Sequence, residues 1–99
     1  MVPDEDSILT EHVVSASLAI FEEHFPGNPI LPAFLQLAWV RKCLQQFGKV
    51  ESFLNVKFLK PILPGNKLQL KIKNMKQKDY SFIILVDNHI ATKGQTRLV

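Results

Sequence analysis

Cysteine is all but missing from this 99-residue chain: Cys43 stands alone, so no disulfide can form within it. Long apolar runs are missing as well. The best candidate, Ile30 to Val40, falls short of the roughly 20 residues that a bilayer demands and carries Gln36, so no membrane span is expected. Neither Lys nor Arg occurs in the first 40 residues, and the opening Met1 to Asp6 is acidic. That stretch lacks the basic flank of a secretory signal, and a cytoplasmic protein is the simplest reading. His12, His24 and His89 are far apart with no Cys or acidic companion at metal-ligand spacing, so no metal site is expected. A Gly-rich phosphate loop and a serine-nucleophile motif are both absent, and no cofactor is expected.

What is present is a folded composition, 46% hydrophobic and 21% charged. Residues 1–99 read as one domain, without linker, repeat or low-complexity tract. A domain this small buries only about 60 to 65% of its unfolded surface, so a dimer is expected. The net charge of +3 is unevenly spread: all twelve Lys and Arg lie from Arg41 onward, while six of the nine acids precede residue 40. The second half should attract an acidic partner unless its lysines simply solvate the outer faces of strands. Aromatics do not interleave with these lysines, which argues against nucleic acid.

The periodicities give one helix among strands. Ile8 to Phe21 reads as one or two short strands. A helix is predicted from Ala33 to Phe47, with Pro32 at its start and Gly48 as its stop. Phe34, Leu37, Val40, Leu44 and Phe47 would share a face that Leu35, Ala38 and Trp39 broaden, making the helix nearly enclosed. Arg41 and Lys42 suit its C-terminal dipole. Strands follow at Val50 to Leu59, at the strictly alternating Lys67 to Lys73, at Tyr80 to Val86 with both faces covered, and at His89 to Leu98, where Gly94 suggests a bulge. Pro61 to Asn66 and Asp87-Asn88 are the turns.

The most informative stretch is His24-Phe-Pro-Gly-Asn-Pro-Ile-Leu-Pro32, which sets a titratable imidazole in a stiff Pro/Gly loop directly before the helix. The helix start offers unpaired backbone N–H donors beside it. With Phe58-Leu-Lys-Pro-Ile-Leu-Pro-Gly65 further on, this pattern resembles the 3-hydroxyacyl-acyl carrier protein dehydratases, most closely the small aryl-polyene-type dehydratase-like proteins. The resemblance implies an α+β hot-dog fold, an antiparallel sheet wrapped around one long central helix. It also implies a homodimer, or a heterodimer with another hot-dog subunit, acting on 3-hydroxyacyl chains carried by acidic acyl carrier protein.

Within that resemblance His24 is the base for the α-proton, and the N–H groups of Gly27 and Ala33 clamp the thioester oxygen as an oxyanion hole would. By itself a lone histidine in such a loop is more often structural; the surrounding motif reverses the balance. The family's acid, fourteen residues after the histidine, is here Ala38, which cannot donate a proton. The family's helix-start glycine is Ala33, a milder change. Gln36 could orient water or hydrogen-bond the substrate hydroxyl. Glu22 and Glu23 lie beside His24 but read as solvated. In this fold the histidine and the acid of one site come from different subunits, so a heteromeric partner could complete His24 while Ala38 leaves the second site empty; an engineered change that traps substrate is the other reading. The function classes are therefore a dehydratase, a non-catalytic acyl-thioester or carrier-binding subunit, and a hot-dog thioesterase in which His24 or Gln36 places a water. Trp39 and Phe34 read as core, with residues along the helix also able to line an acyl tunnel, and Cys43 reads as a small buried hydrophobe.

Overall fold

The structure is a computed structural model that describes residues 7–14 and 30–99. Five strands and one helix follow in the order β1 (Ser7–Val13), α1 (Ala33–Leu44), β2 (Val50–Phe58), β3 (Lys67–Lys76), β4 (Asp79–Val86) and β5 (His89–Leu98). The strands form one antiparallel sheet in the spatial order β1-β3-β4-β5-β2. The hot-dog arrangement expected from the sequence is the one observed.

Alternation builds the inner face. Leu68, Leu70 and Ile72 of β3 and Phe82, Ile84 and Val86 of β4 are buried, and Val40 and Leu44 of α1 join the same core. The residues between them on β3, among them Lys67, Gln69, Lys71 and Lys73, point to the outer face. Asp87 and Asn88 both take positive φ (51° and 64°), as a tight two-residue hairpin between β4 and β5 requires. Asn66 receives the Leu63 N–H on its side chain (2.7 Å) and closes the Pro-rich turn before β3.

Several expectations are corrected. Helix α1 ends at Leu44, three residues early, because the Phe47 and Gly48 N–H groups both bond to the Leu44 carbonyl (2.8 and 3.2 Å) and fold the tail into a tight turn. Its buried face is Gln36, Val40 and Leu44, whereas Phe34 is 64% exposed and Phe47 is exposed too. Among the described residues the helix is not enclosed: the sheet covers one side, and Ala33, Phe34, Ala38, Arg41 and Lys42 are exposed. The outer side of β4 is only partly covered, with Ser81 and Ile83 half-buried. The bulge in β5 lies where Ile84 pairs with Thr92 but Leu85 with Ile90, and Gly94 pairs regularly with Phe82.

Gly94 has a different purpose. A Cβ there would meet Phe82 Cζ and Val56 Cγ2, each at 3.0 Å. Gly94→Ala is expected to destabilise the fold by about 1 to 3 kcal/mol through overpacking, read as a lowered urea midpoint at unchanged m-value.

Candidate functional site

The site begins where the chain enters α1. The Leu31 N–H bonds to the Ile62 carbonyl (2.7 Å), which ties the segment before the helix to the segment after β2. Pro32 caps the helix in an extended conformation (φ −62°, ψ 150°), and its carbonyl accepts from the N–H groups of Leu35 and Gln36 (3.1 and 3.2 Å). Proline at this place needs no donor of its own. The N–H groups of Ala33 and Phe34 have no acceptor among the described residues, and the first turn carries no acidic side chain. They are the donors expected of an uncapped helix start.

A groove of about 390 Å³ opens over this turn. One wall is Ile30 to Ala33 with Gln36, and the other is Phe58 to Pro61. The end of the first stretch that carries the sequence resemblance, Ile30 to Pro32, therefore meets the start of the second, Phe58 to Pro61. Among the described residues Lys60 is the only charged one lining the groove, and no carboxylate does so. The groove can receive a polarised carbonyl or an anionic oxygen, and its described lining holds no proton donor of carboxylic type.

Gln36 lies in the groove wall, 4% exposed. The sequence reading gives it to substrate; the structure commits its amide to the protein. Its Nε2 donates to the Leu31 carbonyl (3.2 Å), and its Oε1 accepts from the Thr92 hydroxyl of β5. Gln36 thus pins the entry loop to the sheet, leaving one N–H of the amide uncommitted. Thr92, fully buried, is the partner that sequence reasoning missed, since a threonine inside a strand carries no signal of its own.

Ala33 and Gln36 come together at the groove, but Ala38 does not. It lies about 200° around the helix from Gln36, on the exposed stripe with Phe34, Arg41 and Lys42. The position of the family's acid thus faces away from this chain's own sheet. His24, Gly27, Glu22 and Glu23 lie outside the described residues. His12 and His89 belong to different strands, β1 and β5, and no cluster of metal-ligating side chains occurs among the described residues. Cys43 is half-buried, and burial pushes its thiol pKa up, as for an inert core cysteine.

A second hollow, apolar and about 170 Å³, lies between β1 and α1 against Val14, Leu35, Trp39 and Leu68, with His12 at its rim 6.0 Å from the Trp39 ring. Leu31 lines both hollows and separates them. Its backbone is held at both ends by the bonds to Ile62 and Gln36, so only the side chain forms the partition. Leu31→Ala is expected to join the two spaces. An environment-sensitive alkyl dye should then bind more tightly by fluorescence titration, at a stability cost of about 2 to 5 kcal/mol.

Comparison with known proteins agrees with this geometry. The ApeI-like family, described as ApeI dehydratase, matches residues 1–95. The chain is 35% identical over 88 residues to the 3-hydroxyacyl-[acyl-carrier-protein] dehydratase FabZ of Latilactobacillus sakei, covering 78% of this chain and 62% of that protein. It is 36% identical over 74 residues to FabZ of Fusobacterium nucleatum, covering 66% and 52%. The chain thus spans between about half and three-fifths of the length of these curated relatives. Among solved structures it is similar to a chain of the dehydratase heterocomplex ApeI:P from Xenorhabdus doucetiae, with a TM-score of 0.78 and 32% identity over 89% of this chain and 82% of that one. An uncharacterised protein from Erwinia carotovora subsp. atroseptica gives a TM-score of 0.75 at 26% identity, with 96% of each chain covered. Among the described residues no helix is long and apolar enough to cross a membrane. With the hot-dog sheet, the groove where Ile30 to Pro32 meets Phe58 to Pro61 and a family match over residues 1–95, the chain belongs to the ApeI-like dehydratases, a hot-dog hydro-lyase family.

Proposed function

We propose that this chain is a cytoplasmic subunit of a dehydratase that converts 3-hydroxyacyl thioesters on acyl carrier protein to trans-2-enoyl thioesters in a fatty acid or polyene pathway, and that it works without an acid of its own. The observation that carries the reading is the groove over the uncapped start of α1, where the Ala33 N–H faces no acceptor among the described residues. His24 takes the α-proton. The N–H groups of Gly27 and Ala33 hold the negative oxygen of the enolate, and the electron pair then expels the 3-hydroxyl, which leaves as water once it is protonated. That last proton needs an acid. Ala38 has none to give, and the described residues that line the groove include no carboxylate.

A heteromeric partner is the source that this arrangement favours. Ala38 sits on the exposed stripe of α1 beside Phe34, where a second hot-dog subunit would cover it. In such a pair the partner's acid serves this chain's His24, and the site at Ala38 stays silent. Similarity to a chain of a dehydratase heterocomplex supports the same reading. A purely carrier-binding subunit is the second reading, favoured by Ala38 itself. The thioesterase reading is weaker, because the Gln36 amide is largely spent on Leu31 and Thr92 rather than available to place a water.

Mass spectrometry of a 3-hydroxyacyl carrier protein, run beside a free-thiol assay, separates these. The isolated chain should leave the thioester intact and lose water only slowly. Release of free thiol that depends on His24 would overturn the dehydratase reading in favour of a thioesterase.

A further inference from the structure

One place in β5 departs from the alternation of the sheet. Ala91 and Thr92 are consecutive, yet both are fully buried. The bulge explains it: Ile84 pairs with Thr92 and Leu85 with Ile90, so Ala91 is the extra residue, passed over in the register with β4. Both walls of the groove are fastened here. The Ala91 carbonyl accepts from the N–H groups of Leu59 and Lys60 (2.8 and 3.1 Å), which holds the wall that follows β2. The Thr92 hydroxyl donates to Gln36 Oε1, which holds the wall at the start of α1. Thr92 also pairs across the sheet with Phe58, where the wall after β2 begins.

Through Gln36 the tie reaches the donor at the helix start. Gln36 Nε2 donates to the Leu31 carbonyl (3.2 Å), and the Gln36 backbone N–H donates to the Pro32 carbonyl (3.2 Å). One residue thus grips the two carbonyls that precede Ala33, and the proline ring fixes the φ between them at −62°. In a trans peptide the C=O and N–H groups point in opposite directions. With the Pro32 carbonyl drawn into the helix, the Ala33 N–H points out of it, toward the groove that Ala33 lines. Without the Thr92 hydroxyl, the Gln36 amide keeps one tie instead of two and is free to turn about its broad terminal torsion.

We infer that Thr92 is a positioning residue of the dehydratase site: acting through Gln36, it keeps the Ala33 N–H aimed at the oxygen of a thioester enolate. The inference rests on the function proposed above. Thr92 is fully buried and does not line the groove, so it acts on alignment and not by contact with substrate. A donor aligned in advance stabilises the charge that develops on the enolate more than it stabilises the neutral carbonyl of bound substrate. Loosening it should therefore lower kcat and leave KM nearly unchanged.

Exchange of the α-proton tests this without calling on the missing acid. In heavy water a 3-hydroxyacyl pantetheine thioester gives its α-proton to His24 while the C–H electron pair moves onto the thioester oxygen. The imidazole exchanges with solvent, a deuteron returns to carbon, and mass spectrometry follows the gain in mass. Thr92→Val should lower kcat for exchange about tenfold at unchanged KM, short of the roughly 10² to 10³ that outright loss of an oxyanion donor costs. Thr92→Ser keeps the hydroxyl and should recover most of the rate. Gly94→Ala is the control for lost stability, since the side chains it crowds, Phe82 and Val56, do not line the groove. Compared where all the variants are folded, it should exchange at the wild-type rate. An equal loss in Gly94→Ala, the same loss in Thr92→Ser, or a Thr92→Val variant with wild-type kcat would overturn the inference. A rise in KM without a fall in kcat would also overturn it. If the wild-type chain shows no exchange that depends on His24, the proposed function itself falls and takes this inference with it.

Discussion

Ala38→Asp is expected to raise the rate of water loss from a 3-hydroxyacyl thioester by about 10² to 10⁴, the usual worth of a general acid. The position tolerates the change because Ala38 is exposed on α1. Loss of alanine's helix propensity costs no more than about 0.7 kcal/mol. Ala38→Asn, of similar size but with no proton to give, should show no gain. Equal rates for the Asp and Asn variants would mean that the scaffold does not use this position as an acid.

Removing the Gln36 amide should produce the largest loss of stability of any polar substitution in the described core. Gln36→Leu leaves the Thr92 hydroxyl and the Leu31 carbonyl without their side-chain partner in a buried setting. Each unsatisfied group costs about 1 to 3 kcal/mol. Thr92→Val alone should cost about 1 to 3 kcal/mol, because it strands Gln36 Oε1. The double variant should be less destabilised than the sum of the two, since neither partner is then orphaned. Urea denaturation of the four proteins closes the cycle. Strict additivity would show that the two side chains act independently.

Much of the fold is legible in the residues because both periods are clean. Strict alternation in Lys67 to Lys73 sorts the inner leucines from the outer lysines, and Asp87-Asn88 marks its hairpin through residues that accept positive φ. The rotation of α1 is not legible. Hydrophobicity places Phe34 and Phe47 inward, while burial selects Gln36, because the protein turns a polar residue in to tie down a loop and leaves a phenylalanine outside. Periodicity cannot distinguish an apolar residue that faces its own sheet from one that faces a second subunit. Gly94 misled for a related reason: in a strand, glycine signals either a bulge or a close approach, and only the position of Phe82 and Val56 decides.

At the candidate site, the motif around Pro32 and the one ending at Gly65 announce themselves by residue type, and their described parts supply the two walls of the groove. The partition by Leu31 and the anchor at Thr92 depend on three-dimensional placement that no local pattern encodes. The vacancy at Ala38 was readable as a missing proton. Its orientation, away from the chain's own groove, came only from the helix's setting on the sheet.

Under the function proposed above, this chain contributes a histidine to a site whose acid comes from another subunit. Subunit complementation tests it most directly: the wild-type chain is mixed and co-refolded with a His24→Ala, Ala38→Asp chain, and water loss is followed by mass spectrometry. Neither parent pairs a histidine with an acid, whereas the mixed dimer holds one complete site, His24 of one protomer beside the introduced acid of its partner. Dehydration in the mixture should run well above that of either parent. A mixture no faster than its parents, despite dimers shown to exchange and a fast Ala38→Asp single variant, would contradict it and place histidine and acid within one chain.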